Sequence, residues 1–286
     1  MGWNSIVDYD TLETGNKIAI IGDSYIEAFQ MDVGKNISDV VRSKLPRNTI
    51  YSFGISGAPM SQYLQMSRYV KQVFHPNVIV FNIVHNDFLE SLSAIKREPA
   101  FLTYSKHDSS FKEDTVIPSP PAKFTTRLFM KSAFIRYLLL NLNIENLFSS
   151  SQLTQKNLKR YDSNVDIDLA LSRKEDIMHL FNLIFDKVDV ENPHTRILFM
   201  VDGLRTEIYS NRPPEKSELA WMNELIRENC ISHHFECIDM SNVFNDDFKK
   251  NRNHFEFKDD WHWNEYGHMI AGDTLSKLLL TTKNSY

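Results

Sequence analysis

The chain has 286 residues, 42% of them apolar, which allows a large core and excludes a mainly disordered chain. Lys and Arg number 32 against 37 Asp and Glu, a net charge of −5, and no long basic run occurs. That balance argues against nucleic acid and against an anionic membrane surface as partners.

The opening "MGWNSIVDYD" is polar and lacks the apolar stretch of a secretory leader. No segment reaches the roughly 18 consecutive apolar residues of a membrane helix. The default expectation is therefore a cytoplasmic chain with no transmembrane segment.

"KIAII" (17–21) reads as a strand buried on both faces, because its apolar residues run without alternation. Residues 36–45 read as a helix, with Ile37, Val40, Val41 and Leu45 on one face and Pro46 after its end. "TIYSF" (49–53) is a second strand. Residues 60–74 form a helix that turns Tyr63, Met66, Val70, Val73 and Phe74 inward. "NVIVFNIV" (77–84) is a third strand. This βαβαβ rhythm predicts an α/β fold, a parallel sheet with helices on both faces.

Residues 91–172 break the rhythm. The polar, proline-bearing stretch 107–124 reads as a loop, and 126–148 as one helix or two with apolar residues on several sides. The whole of 91–172 is expected to be a helical insertion, a lid or substrate-binding subregion, within a single domain spanning 1–286. The rhythm then resumes with a helix over 173–189, a strand "RILFMV" (196–201) and a helix over 215–229. A last strand, "FECID" (235–239), and a closing helix over 264–280 follow, the latter with Ile270, Leu275, Leu278 and Leu279 facing the core.

"CISHHFEC" holds Cys230, His233, His234 and Cys237, the only two cysteines of the chain among them. The residue types suit a metal, but structural zinc ligands usually come as two knuckles on separate supports. This stretch instead reads as a helix end entering a strand. Packing and surface histidines are expected there, with no metal and no disulfide.

In open α/β sheets, ligands bind beyond the carboxyl ends of the strands. After the first strand stand Gly22-Asp23-Ser24, after the second "GISGAPM" (54–60), and after the third His85-Asn86-Asp87. Asp202-Gly203 follows the fourth, and "KDDWHWNEYGH" (258–268) lies beyond the fifth. A hydrolytic serine needs a base, a group that orients the base, and donors for an oxyanion. Ser24, at a strand-to-helix turn, is the candidate hydroxyl, and His262 the candidate base with Asp259 or Asp260 beside it. Gly57 can bring a backbone N–H close to a ligand, and Asn86 offers a side-chain NH₂. The Gly-x-Ser-x-Gly elbow, the phosphate-cradling loop and the dinucleotide fingerprint are all absent.

"GDS" after the first strand, "SG" after the second, "ND" after the third and a C-terminal Asp-x-x-His resemble the four blocks of the SGNH, or GDSL-type, hydrolases. The resemblance implies a three-layer α/β/α, flavodoxin-like SGNH fold and a serine esterase or O-acyltransferase that needs no cofactor. It implies Ser24 as nucleophile, an oxyanion hole of Ser24, Gly57 and Asn86, His262 as base, and Asp259 as its orienting acid, with Asp260 the alternative. "HWNEYGH" is also similar to the terminal block of SGNH proteins that act on acylated polysaccharides, so a small-molecule or polysaccharide ester is the implied substrate. Tyr25, Phe88, Trp261 and Trp263 would then be available to stack on a sugar ring.

Two positions depart from the family pattern. Tyr25 stands where a leucine often follows GDS, and Val84 stands where the third block usually has glycine. The second departure leaves room for another class, a carbohydrate-binding or scaffold domain that keeps the fold without catalysis.

Overall fold

The computed structural model describes residues 3–118 and 160–281. Its centre is a five-stranded sheet in the order β2-β1-β3-β8-β9, parallel throughout. The first three strands are β1 (Asn16–Gly22), β2 (Asn48–Gly54) and β3 (Val78–Ile83). Two small hairpins follow, β4 (Tyr104–His107) with β5 (Ser110–Glu113), and β6 (Tyr161–Asp162) with β7 (Val165–Asp166). The sheet is completed by β8 (Arg196–Val201) and β9 (Glu236–Asp239). A last hairpin, β10 (Glu256–Phe257) with β11 (Asp260–Trp263), precedes the closing helix Glu265–Thr281.

The apolar runs are buried on both sides, as their lack of alternation requires. Ala19 and Ile21 of β1 join Phe53, Phe81 and Phe199 in one core, closed by the helices Met60–Phe74, Lys174–Glu191 and Ala220–Ser232. Ile18 and Ile20 face the other way, with Val80 and Met200. Helices Ile37–Lys44, Met240–Asn251 and Glu265–Thr281 cover that face. The result is the three-layer α/β/α arrangement.

The stretch 107–124, read from sequence as loop, begins inside the β4–β5 hairpin. Its turn is Asp108-Ser109, with Asp108 at φ 53°. Charged residues on both strands hide the alternation that would mark a hairpin. The helix expected over 126–148 lies outside the described residues. Among the described residues no helix is long and apolar enough to cross a membrane.

Candidate active site

β1 ends on Gly22 and the chain turns at once into the one-turn helix Ser24–Glu27. Asp23 caps it, its Oδ1 accepting the Tyr25 N–H at 2.9 Å. Because Asp23 does the capping, Ser24 keeps its hydroxyl for other partners. The turn needs very close packing: a Cβ on Gly54, at the end of β2, would stand 2.1 Å from the Glu27 nitrogen.

Ser24 Oγ lies 2.7 Å from His262 Nε2, and His262 Nδ1 lies 2.5 Å from Asp260 Oδ1. With Nδ1–H donated to the carboxylate, Nε2 is free to accept the serine proton. The acid on the imidazole is therefore Asp260 and not the favoured Asp259. The reason is the period of a strand. His262 lies on β11, where residues two apart share a face, so Asp260 points the way His262 does. Asp259 sits in the turn before β11, outside this line of hydrogen bonds. The His262 backbone N–H also donates to Asp260 Oδ1, at 3.2 Å.

The serine hydroxyl has a second neighbour, Asp23 Oδ2 at 3.3 Å. Burial pushes the Asp23 carboxyl up to about 6, against the downward pull of the Tyr25 N–H and of His262.

Gly57 follows β2 with φ 74°, a left-handed conformation that favours glycine. Its loop is clamped from two sides. Glu27 accepts the Ser56 N–H at 2.8 Å and also the Ser56 hydroxyl. Lys96 donates to the Gly57 carbonyl at 2.7 Å and pairs with Glu90 at 2.6 Å. Asn86 opens the helix Asn86–Glu90 just past β3 and is half-buried. Strands β2, β1 and β3 are neighbours in that order, so Gly57, Ser24 and Asn86 come to one rim with Ser24 just beyond the end of the middle strand.

Asp87 is inside the body instead. Its Oδ2 accepts the Val84 N–H at 2.9 Å and the Tyr63 hydroxyl at 2.8 Å, and burial holds its carboxyl well above the usual range. Val84 itself is buried and is not among the residues of positive φ. A β-branched side chain therefore fits where glycine is common in the family.

Three of the four aromatics expected to face a sugar cannot do so. Phe88 is fully buried and stacks on Phe181 at 4.4 Å, Trp263 is fully buried, and Tyr25 is 3% exposed. Each completes the apolar packing behind the rim, which a large ring does better than a loop residue can. Trp261 is half-buried. His268 is also internal: its Nδ1 accepts the Ile37 N–H at 3.2 Å, and burial pushes its imidazole down to about 3.

In the cysteine–histidine stretch, Cys230 is buried and both cysteines are free thiols. His233 engages Asp186 and the Asn229 carbonyl, each at 2.9 Å. Among the described residues no group of three or more His, Cys, Asp or Glu is placed to hold a metal ion.

The sequence reading missed a buried layer beneath the rim, made of Asp202, Arg205 and Glu256 around the Tyr25 hydroxyl. Asp202 was visible as a strand-end acid. Asp202 is a local partner of Arg205, but the two others that fix its place, Tyr25 and Glu256, lie 180 and 51 positions away.

The sequence model of the GDSL-like lipase/acylhydrolase family matches residues 20–270, and the chain belongs to that family. Among solved structures it is similar to the acetyl xylan esterase AlAXEase, at 13% identity and a TM-score of 0.50, over 92% of this chain and 99% of that one. It is also similar to the lipase/acylhydrolase from Enterococcus faecalis, at 12% identity and a TM-score of 0.46, over 92% and 95% of the two chains. No curated protein matches the sequence.

Proposed function

We propose that the protein is a serine-dependent carboxylic ester hydrolase, or an O-acyl (acetyl) transferase using the same acyl-enzyme, acting on an acylated carbohydrate. The observation that carries this reading is the unbroken line Ser24 Oγ, His262, Asp260 at 2.7 and 2.5 Å. Ser24 attacks the ester carbonyl while His262 Nε2 takes its proton, and Asp260 stays ionised and holds the imidazole. The backbone N–H groups of Ser24 and Gly57 and the Asn86 amide meet the oxyanion. His262 then returns the proton to the leaving alcohol. Water, or a sugar hydroxyl, releases the acyl group from Ser24.

The carbohydrate class is supported by the terminal block His262–His268, similar to that of SGNH proteins acting on acylated polysaccharides. An acetyl xylan esterase shares the fold. We read the chain as one domain with residues 91–172 inserted; Lys96, from that insertion, reaches the Gly57 carbonyl. A fluorophosphonate should label Ser24, with the adduct mapped by mass spectrometry. Ser24→Ala should abolish both labelling and hydrolysis of p-nitrophenyl acetate. Equal rates in the variant and wild type would favour a binding module instead.

A further inference from the structure

His262 sits on a weak element. β10 has two residues and β11 four, with a register shift between Glu256 and Phe257. A two-stranded hairpin is marginal in water without further packing. A base must nevertheless be held within tenths of an ångström of its hydroxyl.

We propose that Tyr25, Arg205 and Asp202 are positioning residues that hold the His262 hairpin against Ser24. This inference rests on the reading of His262 as the base. The Tyr25 hydroxyl donates to the Trp261 carbonyl at 2.6 Å, so residues 25 and 261 are bonded directly beside the bond between 24 and 262. The Tyr25 ring also lies against the imidazole, centroids 4.9 Å apart, and edge-to-face with Trp263 at 5.3 Å.

Arg205, 0% exposed, fixes the other end of the brace. One of its nitrogens donates to the Tyr25 hydroxyl at 3.0 Å and to Asp202 Oδ2 at 2.8 Å, and another to Glu256 Oε2 at 3.0 Å. Asp202 Oδ1 in turn accepts the Trp263 indole N–H at 2.8 Å. The residue before His262, the residue after it, and the facing strand are thus all tied to one guanidinium. A guanidinium spreads its donors over separate nitrogens in a rigid planar fork and so reaches partners on both sides, whereas an ammonium presents its three donors from a single point. The usual leucine at position 25 would supply packing without the hydroxyl bond.

Arg205→Ala would leave buried carboxylates unpaired and could simply unfold. The test therefore uses Tyr25→Phe, which removes one oxygen, and Arg205→Lys, which keeps the charge and loses the fork. With p-nitrophenyl acetate, both should lower kcat about ten- to a hundredfold and leave KM within about twofold. Fluorophosphonate labelling should slow in parallel. The downfield proton resonance of the His262–Asp260 hydrogen bond should shift or broaden in both variants. Unchanged kcat, labelling and resonance, with only the melting temperature lowered, would overturn the proposal. If wild type neither hydrolyses the ester nor takes the label, the ester-hydrolase reading fails. The His262 resonance then decides the positioning role separately.

Discussion

Ser24 and His262 are 238 positions apart in the chain and 2.7 Å apart in space. One follows the first strand of the sheet and the other belongs to the last hairpin. Their meeting joins the rim of the sheet to an element outside it, and the proposed chemistry needs that junction to be held.

The pairing with Asp260 separates the two acids of "DDWH". Asp260→Asn would donate an amide N–H toward Nδ1 and stabilise the wrong imidazole tautomer, and should cost about 10²–10⁴ in kcat. Asp259→Asn leaves the bonded line intact and should stay within about threefold of wild type. Steady-state kinetics of the two variants on one activated ester decide it, and the reverse ranking would return the role to Asp259.

Asn86 is proposed as one of three oxyanion donors. Asn86→Ala should lower kcat by about 10²–10³ with little change in KM, since the donor acts on charge that develops in the transition state. An effect confined to KM would move Asn86 to ground-state binding.

His268 makes folding acid-sensitive. Its imidazole is held neutral down to about pH 3, against an ordinary value of 6.5, by burial. Below pH 6.5 the unfolded chain gains a proton that the folded chain refuses. The stabilisation is complete above that pH and is lost as pH falls toward 3, by up to about 5 kcal/mol. His268→Asn keeps an acceptor for the Ile37 N–H and does not titrate. In urea unfolding between pH 4 and 7.5, its stability should fall less steeply than that of wild type. Parallel curves would refute the assignment.

Asp23 acts in the opposite sense. Burial raises its carboxyl from 3.8 to about 6. Between those values the unfolded chain sheds its proton first, so stability falls as pH rises through the window, by about 3 kcal/mol. Asp23→Asn removes this penalty while its amide oxygen can still cap Tyr25. The variant should gain on wild type as pH is raised from 4 to 7, and a difference independent of pH would count against the raised value.

The fold was legible because burial on both faces leaves a coarse mark. Runs such as "KIAII" and "NVIVFNIV" need no context to be read as central strands, and the parallel order follows from the helices between them. The rim could be read because strand ends in such sheets converge. Other features carry no local mark. The Asp-x-x-His spacing points to Asp259, whereas on the strand Asp260–Trp263 residues two apart share a face and Asp260 meets the imidazole. Phe88 and Trp263 look the same in sequence whether they face a ligand or a core. The Arg205 layer is made of contacts between residues 25, 202, 205, 256 and 263, which only the folded chain brings together.

That separation has a consequence for biosynthesis. As the chain leaves the ribosome, the hydroxyl of residue 24 emerges long before its imidazole partner, 238 positions on, has been translated. A nascent chain stalled before residue 260 contains the sequence of all five sheet strands, yet neither His262 nor Asp260. On the proposed mechanism such a chain cannot act on an ester, because Ser24 then has no base.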